Sequence, residues 1–171
     1  MYDNILISSF GSNIYSTIGF LEGLKDELSS TVIWNVVGNA SLIIFLKIIG
    51  FSYSQMTEKL EDLQIAHTFL NCFSIIPENQ EEKKKYILDW MEDRINETSL
   101  LNIDSNLKDI FKLTNIFPSF LTWSRTEKKI ISLNPSTHPE LKFSDCVLST
   151  LSCIGTFNEH KIGEKIYGNL N

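Results

Sequence analysis

The stretch VVGNASLIIFLKIIGFSYSQM, residues 36–56, joins an apolar strand to an apolar helix. Residues 31–38 are rich in β-branched side chains, which is typical of a buried strand. Residues 40–50 are almost entirely apolar, as in a helix that lies inside a fold. Gly38 and Asn39 stand between the two segments, where both residue types favour a turn. The stretch therefore predicts a strand, a sharp turn and a buried helix.

A second strand and helix precede this stretch. Residues 4–10 are apolar and β-branched, and residues 14–28 place isoleucine and leucine at helical spacing. The order strand, helix, strand, helix favours a parallel α/β sheet with right-handed crossovers. We expect strands 4–10 and 31–38 to be adjacent and parallel, and helix 40–50 to be buried between the sheet and other helices.

The rest of the chain shows no linker, repeat or low-complexity segment, so residues 1–171 are predicted to form a single domain. Residues 65–76 are apolar, but their pattern does not distinguish a helix from a strand. Predicted helix starts are Ser54, with Thr57 as an alternative, then Ser105 and the pair Ser144-Asp145. The further predicted elements are helices over 51–63, 78–99, 105–114 and 142–155, strands over Phe120–Trp123 and Lys129–Leu133, and a hairpin or terminal strand over 160–171.

Composition and charge exclude several classes of function. Lys and Arg number 15 and Asp and Glu 21, so the net charge is −6, which argues against a nucleic-acid partner. The one basic run, Lys83–Lys85, follows two glutamates and is typical of a solvated helix face. The longest apolar run contains Lys47 and is too short to span a bilayer. No basic segment precedes the first apolar run, so we predict that the protein is not secreted. The expected location is the cytoplasm or, if the protein belongs to a viral assembly, the virion.

Cysteine and histidine usage predicts neither a metal nor a cofactor. The three histidines are scattered and do not combine with cysteine at ligand spacing. An odd number of cysteines without a C-x-x-C pair fits buried thiols in a reducing compartment; these are Cys72, Cys146 and Cys153.

Five short motifs follow one another along the chain. They are ISSFGSNIYSTIGFLEGL (7–24), GNASL (38–42), GFS (50–52), STLSCIGTF (149–157) and YGNLN (167–171). In order and spacing, they resemble the glycine-rich loop and helix, the G-x-S-x-G elbow, the G-Y-S turn, the A-S-x-A-I-P-x-x-F segment and the Y-V-D-G-G motif of patatin-like phospholipase domains. The resemblance extends from end to end. It implies a three-layer α/β domain whose central, mostly parallel sheet is flanked by helices.

The resemblance also implies a site, and this sequence departs from it at every chemical position. The family places a serine nucleophile at the elbow, where this chain has Gly38-Asn39-Ala40-Ser41-Leu42, so that Ala40 replaces the serine. Asn169 stands in place of the family's aspartate, and a neutral amide does not act as a general base. The elbow and the base position are therefore predicted to be vestigial.

The oxyanion loop departs in the same way. Ser9, Phe10 and Gly11 fall on the three glycines of the family, and Asn13 replaces its arginine. Side chains at the first two positions restrict the close backbone approach that an oxyanion site requires. We also expect Asn39 or Ala40 to adopt a strained or left-handed conformation at the elbow, with Gly38 allowing close packing.

Other candidate groups have simpler explanations. Ser41 lies one residue past the elbow, and we predict that its hydroxyl bonds to the backbone. Asp145 with His138 or His160 would make an acid–base pair, but no spacing supports it and we predict surface residues. The apolar run 115–123 is predicted to be a core strand, with an exposed partner patch as the alternative.

These departures predict a pseudoenzyme. The expected role is that of a structural or binding component with a protein partner or in a homo-oligomer, for example in a viral assembly. Two alternatives stay open. One is a lipid acyl hydrolase whose nucleophile is absent or mutated in this chain, and the other is a lipid-binding module.

Overall fold

The computed structural model describes residues 2–9, 13–63, 80–98, 101–153 and 158–168, and these form a mixed α/β fold. The strands are β1 (Tyr2–Ser9), β2 (Leu28–Gly38), β3 (Phe117–Ser124), β4 (Lys129–Leu133), β5 (Glu159–Ile162) and β6 (Lys165–Gly168). The helices are α1 (Asn13–Leu24), a short 3₁₀ turn (Lys25–Glu27), α2 (Ala40–Ile48), α3 (Tyr53–Asp62), α4 (Gln80–Thr98), α5 (Leu107–Thr114) and α6 (Phe143–Cys153).

The strands form one six-stranded sheet in the order β1-β2-β3-β6-β5, and β4 also pairs with β3. The pairs β1–β2 and β2–β3 are parallel, while β4 and β6 run antiparallel to β3. Because β5 is antiparallel to β6, it shares the direction of β3. Four of the six strands therefore point the same way, which confirms the mostly parallel central sheet. The predicted parallel pairing of the first two strands is also confirmed, with Ile5 opposite Trp34.

Helix α2 lies at the centre of the core, as predicted. Every side chain from Ala40 to Ile48 is buried except that of Lys47. The ring of Phe45 is fully buried between Trp90 of α4, at 5.6 Å between ring centroids, and Phe143 of α6, at 5.7 Å. An apolar helix of this kind is stable only when all its sides are covered.

The buried side chains place the main helices on one face of the sheet. Phe120 of β3 contacts Phe143 of α6, and the Thr122 hydroxyl donates to the Ser149 carbonyl of the same helix at 2.9 Å. Helix α2 lies on the same face, since the Lys47 ammonium stands over the Trp34 ring of β2. Helices α2 and α6 thus pack on the same face of the sheet.

Two predicted helix starts are wrong, and local hydrogen bonds explain why. Helix α3 begins after Ser52 rather than Ser54, because Ser52 and Gln55 form a reciprocal capping box. Helix α5 begins after Asn106 rather than Ser105, because the Asn106 side chain accepts from the Asp109 N–H at 2.8 Å. The Ser105 hydroxyl instead accepts from the N–H of Asn102.

The other predictions differ less from the structure. Leu28 belongs to β2 rather than to the end of α1. Strands β3 and β4 and the terminal hairpin of β5 and β6 are confirmed. Cys146 is buried, while residues 65–76, which include Cys72, lie outside the described residues.

Candidate functional site

The candidate site is the turn between β2 and α2. Gly38 ends the strand with φ of 64°, in the left-handed region that glycine reaches at low cost. Asn39 has φ of −64° and ψ of −19°, and Ala40 is already the first residue of α2. The expectation of a left-handed Asn39 or Ala40 is therefore wrong. Gly38 absorbs the chain reversal one residue earlier, so the following residues enter the helix without strain.

The turn is fixed to the first strand. Ser9 at the end of β1 lies opposite Gly38, and the Asn39 N–H donates to the Ser9 carbonyl at 3.0 Å. The carboxyl ends of two adjacent parallel strands thus meet the N-terminus of α2. In open α/β sheets, ligands commonly bind outside the carboxyl ends of the strands.

The chemistry available at this turn is limited. Ala40, where the resemblance implies a nucleophile, ends in a methyl group, and all residues from Asn39 to Leu42 have no exposed surface. The Ser41 hydroxyl donates to the Gly38 carbonyl at 2.7 Å. This confirms the backbone-bonded role predicted for Ser41, and it leaves the elbow without an exposed hydroxyl.

Three polar atoms at the turn are buried without a hydrogen-bond partner. They are the Ser9 Oγ and both the Oδ1 and Nδ2 atoms of Asn39. Buried polar groups are bonded in the great majority of cases, because losing water without a replacement partner costs free energy. The turn therefore carries polar side chains that contribute little to the stability of the fold.

We expect Asn39→Leu to stabilise the protein. Leucine has nearly the shape of asparagine and removes two unpartnered polar atoms, so the free energy of unfolding should rise by about 1 kcal/mol. Urea denaturation measures the change. The matched control is Asn35→Leu, since the Asn35 side chain donates to the Asn4 Oδ1 and should lose stability when replaced. A loss of stability for Asn39→Leu would mean that the amide has a partner, which would contradict this description of the turn.

Only part of the predicted oxyanion loop can be placed. Phe10, Gly11 and Asn169 lie outside the described residues. Asn13 begins α1, where its backbone carbonyl accepts from the Thr17 hydroxyl at 2.9 Å. Of the predicted loop residues, the structure therefore places Ser9 next to the elbow.

His160 and Asp145 form a pair that sequence reasoning set aside. The His160 Nε2 lies 2.9 Å from the Asp145 Oδ1, and His160 is only 8% exposed. The prediction that both are surface residues is therefore wrong for His160. The pair joins β5 to the first turn of α6. The signal that could have identified His160 is its place in the terminal hairpin. It lies opposite Tyr167, which is buried, so its side chain is directed inward as well.

The pair borders a cleft of about 560 Å³ between α4, α6 and β5, and no elbow residue of the described chain lines it. The neighbouring thiol of Cys146 is buried, and burial raises its pKa well above the usual value, so it is not a nucleophile at neutral pH. His138 takes no part in the pair: its Nδ1 lies 2.8 Å from the Thr137 hydroxyl. The His160–Asp145 pair therefore links β5 to α6, and it includes no nucleophile.

Lys47 was also not recognised from the sequence as a special position. Its ammonium lies 5.1 Å from the ring centroids of both Trp34 and Tyr53, and burial lowers its pKa. A single lysine within an otherwise apolar helix is the signal that could have identified it. The run 115–123 is confirmed as a core strand, because Pro118, Ser119 and Phe120 are buried in β3.

Comparison with known proteins adds no assignment, since no protein-family model and no curated protein matches the chain. Within the described ranges, no three histidine, cysteine or acidic side chains come together as a group able to hold a metal ion. The helices seen there are all too short or too polar to cross a membrane.

Proposed function

We propose that this chain is a non-catalytic patatin-like domain that serves as a structural or binding component through contacts with protein. The observation that carries the proposal is the closed elbow. Ala40 stands at the nucleophile position with no exposed surface, and the adjacent Ser41 hydroxyl is bonded to Gly38. Acyl transfer through a covalent intermediate requires an exposed nucleophile, which the elbow lacks.

The patatin-like assignment has two kinds of support. The first is the order of the five sequence motifs. The second is the local arrangement of strand, helix, strand, glycine turn and buried helix, in which β1 and β2 are parallel and Gly38 ends the second strand. Such an arrangement suits a nucleophile elbow, because the residue after the turn stands at the helix N-terminus.

Loss of catalysis rests on more than one position. Asn169 is a neutral amide where the resemblance implies the base, and Ser9 and Phe10 stand where it implies glycine. A fold outlasts its active site when another role preserves it, because the interactions that stabilise a domain are separate from those that catalyse. A virion component is one form that this role would take.

The test exposes the purified protein to an ester substrate and, separately, to lipid vesicles. We expect no hydrolysis of p-nitrophenyl butyrate above the buffer rate, and no flotation with phosphatidylcholine or mixed anionic vesicles. Turnover that follows the protein through purification would establish the hydrolase alternative instead. Flotation without turnover would establish the lipid-binding alternative. Either outcome would contradict the proposal.

A further inference from the structure

A cavity of about 260 Å³ lies at the C-terminal end of α2, opposite the end that carries the elbow. It opens between Lys47 of α2, Tyr53 at the start of α3 and the first half of β2, which contributes Trp34. No described residue that lines the cavity belongs to the turn at 38–42. The cavity is therefore separate from the elbow.

The cavity carries positive charge in an acidic protein. Two lysines, Lys25 and Lys47, line it, and its described lining includes no aspartate or glutamate. The chain as a whole has a net charge of −6. A concave surface that is lined by charge of one sign concentrates ions of the opposite sign. The charge of the lining therefore suits an anion.

The Lys47 ammonium has no carboxylate partner in the described part of the chain. Its contacts there are a hydrogen bond to the Tyr53 hydroxyl at 3.4 Å and the rings of Trp34 and Tyr53, whose centroids are both 5.1 Å away. An ammonium has three N–H donors, so two of them find no acceptor among the described residues. Burial also lowers the pKa of Lys47, because the charge loses water without gaining a counter-charge.

Lys59 of α3 shows how the same protein completes a similar arrangement. Its ammonium lies 5.6 Å from the ring centroid of Phe51, and the carboxylate of Glu97 lies 2.8 Å from it. Both lysines thus stand over an aromatic ring, but only Lys59 has a carboxylate in place. Charges that leave water are usually paired. At Lys47, the adjoining cavity leaves room for a carboxylate that the described residues do not supply.

The walls of the cavity are mainly apolar and aromatic. Besides Trp34 and Tyr53, they include the aliphatic side chains of Leu28, Val32 and Ile116, while two serines and one asparagine add polar groups. Small-molecule sites commonly combine apolar and aromatic walls with a few polar groups, in volumes of about 300–1,000 Å³. The cavity lies just below this range, so it suits a compact ligand. Its apolar walls favour an organic anion over an inorganic one.

We propose that this cavity binds a small organic acid, whose carboxylate pairs with Lys47 and whose apolar body contacts the aliphatic walls. The Tyr53 hydroxyl lies beside the ammonium and is a second donor for the carboxylate. A single negative charge matches the single desolvated lysine. Lys25 is exposed, so solvent screens its charge, and its contribution is a weaker attraction at longer range.

This inference goes beyond the proposed function, because the cavity and the elbow lie at opposite ends of α2. Binding of an organic acid requires no catalysis. An empty cavity would leave the proposal of a non-catalytic domain unchanged, and an active elbow would leave the cavity unchanged. The two proposals can therefore fail separately.

The experiment titrates the full chain with benzoate and with benzamide, and saturation-transfer NMR follows each ligand. The two probes have nearly the same shape, but only benzoate is charged. We expect saturable binding of benzoate with a dissociation constant in the millimolar range or below, as for other ligands of this size. Benzamide should bind at least ~10-fold more weakly, because it offers no charge to the lysine. Inorganic phosphate should not displace benzoate, since it has no apolar body.

Lys47→Met tests the residue that carries the charge. Methionine keeps much of the length of the side chain, so the variant should bind benzoate at least ~10-fold more weakly and leave the weak binding of benzamide unchanged. The matched control is Lys59→Met, which removes a lysine that also stands over an aromatic ring but lies outside the cavity. It should bind benzoate as the wild type does. Thermal melting verifies that both variants are folded.

Chemical acetylation of the wild type gives a measurement that depends on no variant. Mass spectrometry maps the modified lysines, and benzoate should slow the acetylation of Lys47 but not that of Lys59. Benzamide should protect neither. The proposal would be overturned by the absence of saturable benzoate binding at millimolar concentrations, or by equal affinity for benzamide. Displacement by phosphate, unchanged binding by Lys47→Met or unprotected Lys47 in saturating benzoate would overturn it as well.

Discussion

Ala40→Ser is expected to stay inactive toward p-nitrophenyl butyrate, although it returns a hydroxyl to the elbow. A serine becomes a nucleophile only when an adjacent base accepts its proton, and the residue that the resemblance assigns to the base, Asn169, is a neutral amide. The introduced hydroxyl would also stand at a position with no exposed surface. The double variant Ala40→Ser/Asn169→Asp should give at most a trace of activity, because loss of a single oxyanion donor costs about 100- to 1000-fold.

Initial rates and fluorophosphonate labelling of the wild type, the single variant and the double variant measure this effect. The control adds Ser41→Ala to each variant, so that any activity can be assigned to residue 40 rather than to its neighbour. Strong turnover by Ala40→Ser alone would show that the base and the oxyanion site are intact. The elbow would then be a complete active site that lacks one atom, and the vestigial interpretation would be wrong.

Phe45→Ala is expected to lower the free energy of unfolding by about 4 kcal/mol. Truncating a fully buried phenylalanine removes its transfer free energy and leaves a cavity, which together cost about 3–5 kcal/mol. Phe45 has no exposed surface, and its ring contacts those of Trp90 and Phe143, so the cavity would open between three helices.

Urea denaturation followed by circular dichroism measures the change. The control is Phe20→Ala in α1, where the ring is 62% exposed and its loss should change stability by less than about 1 kcal/mol. A loss below about 1 kcal/mol for Phe45→Ala would mean that α2 is not the centre of the core.

The elements around the elbow could be predicted because their signals are local. A run of β-branched residues before Gly38 and an apolar run after it leave few alternatives to a buried strand and a buried helix. The parallel pairing of β1 with β2 followed from the helix that connects them. These features depend on residues close together in the chain.

The features that could not be predicted depend on competition between neighbouring helix caps or on contacts between residues far apart in the chain. Ser52 and Ser54 are both good helix caps, and the deciding factor is that Gln55 completes a capping box with Ser52. His160 meets Asp145 only because the terminal hairpin folds back over α6, and no local pattern reports that contact.

The elbow shows a third limit. The motif resemblance predicted a strained or left-handed Asn39 or Ala40, while the structure gives the positive φ to Gly38. A glycine next to a turn takes up the reversal because it has no Cβ to clash. The motif therefore predicted where the turn lies, but not which residue adopts the positive φ.

The most direct test of the central claim, that the elbow is not catalytic, is labelling of the native wild-type protein with a fluorophosphonate. Intact mass spectrometry reads out the adduct, and heat-denatured protein serves as the background control. We predict an unchanged mass after prolonged incubation, because Ala40 offers no nucleophile and Ser41 is buried and bonded to the Gly38 carbonyl. Stoichiometric labelling of the folded protein at Ser41, or at any other serine, would contradict the account.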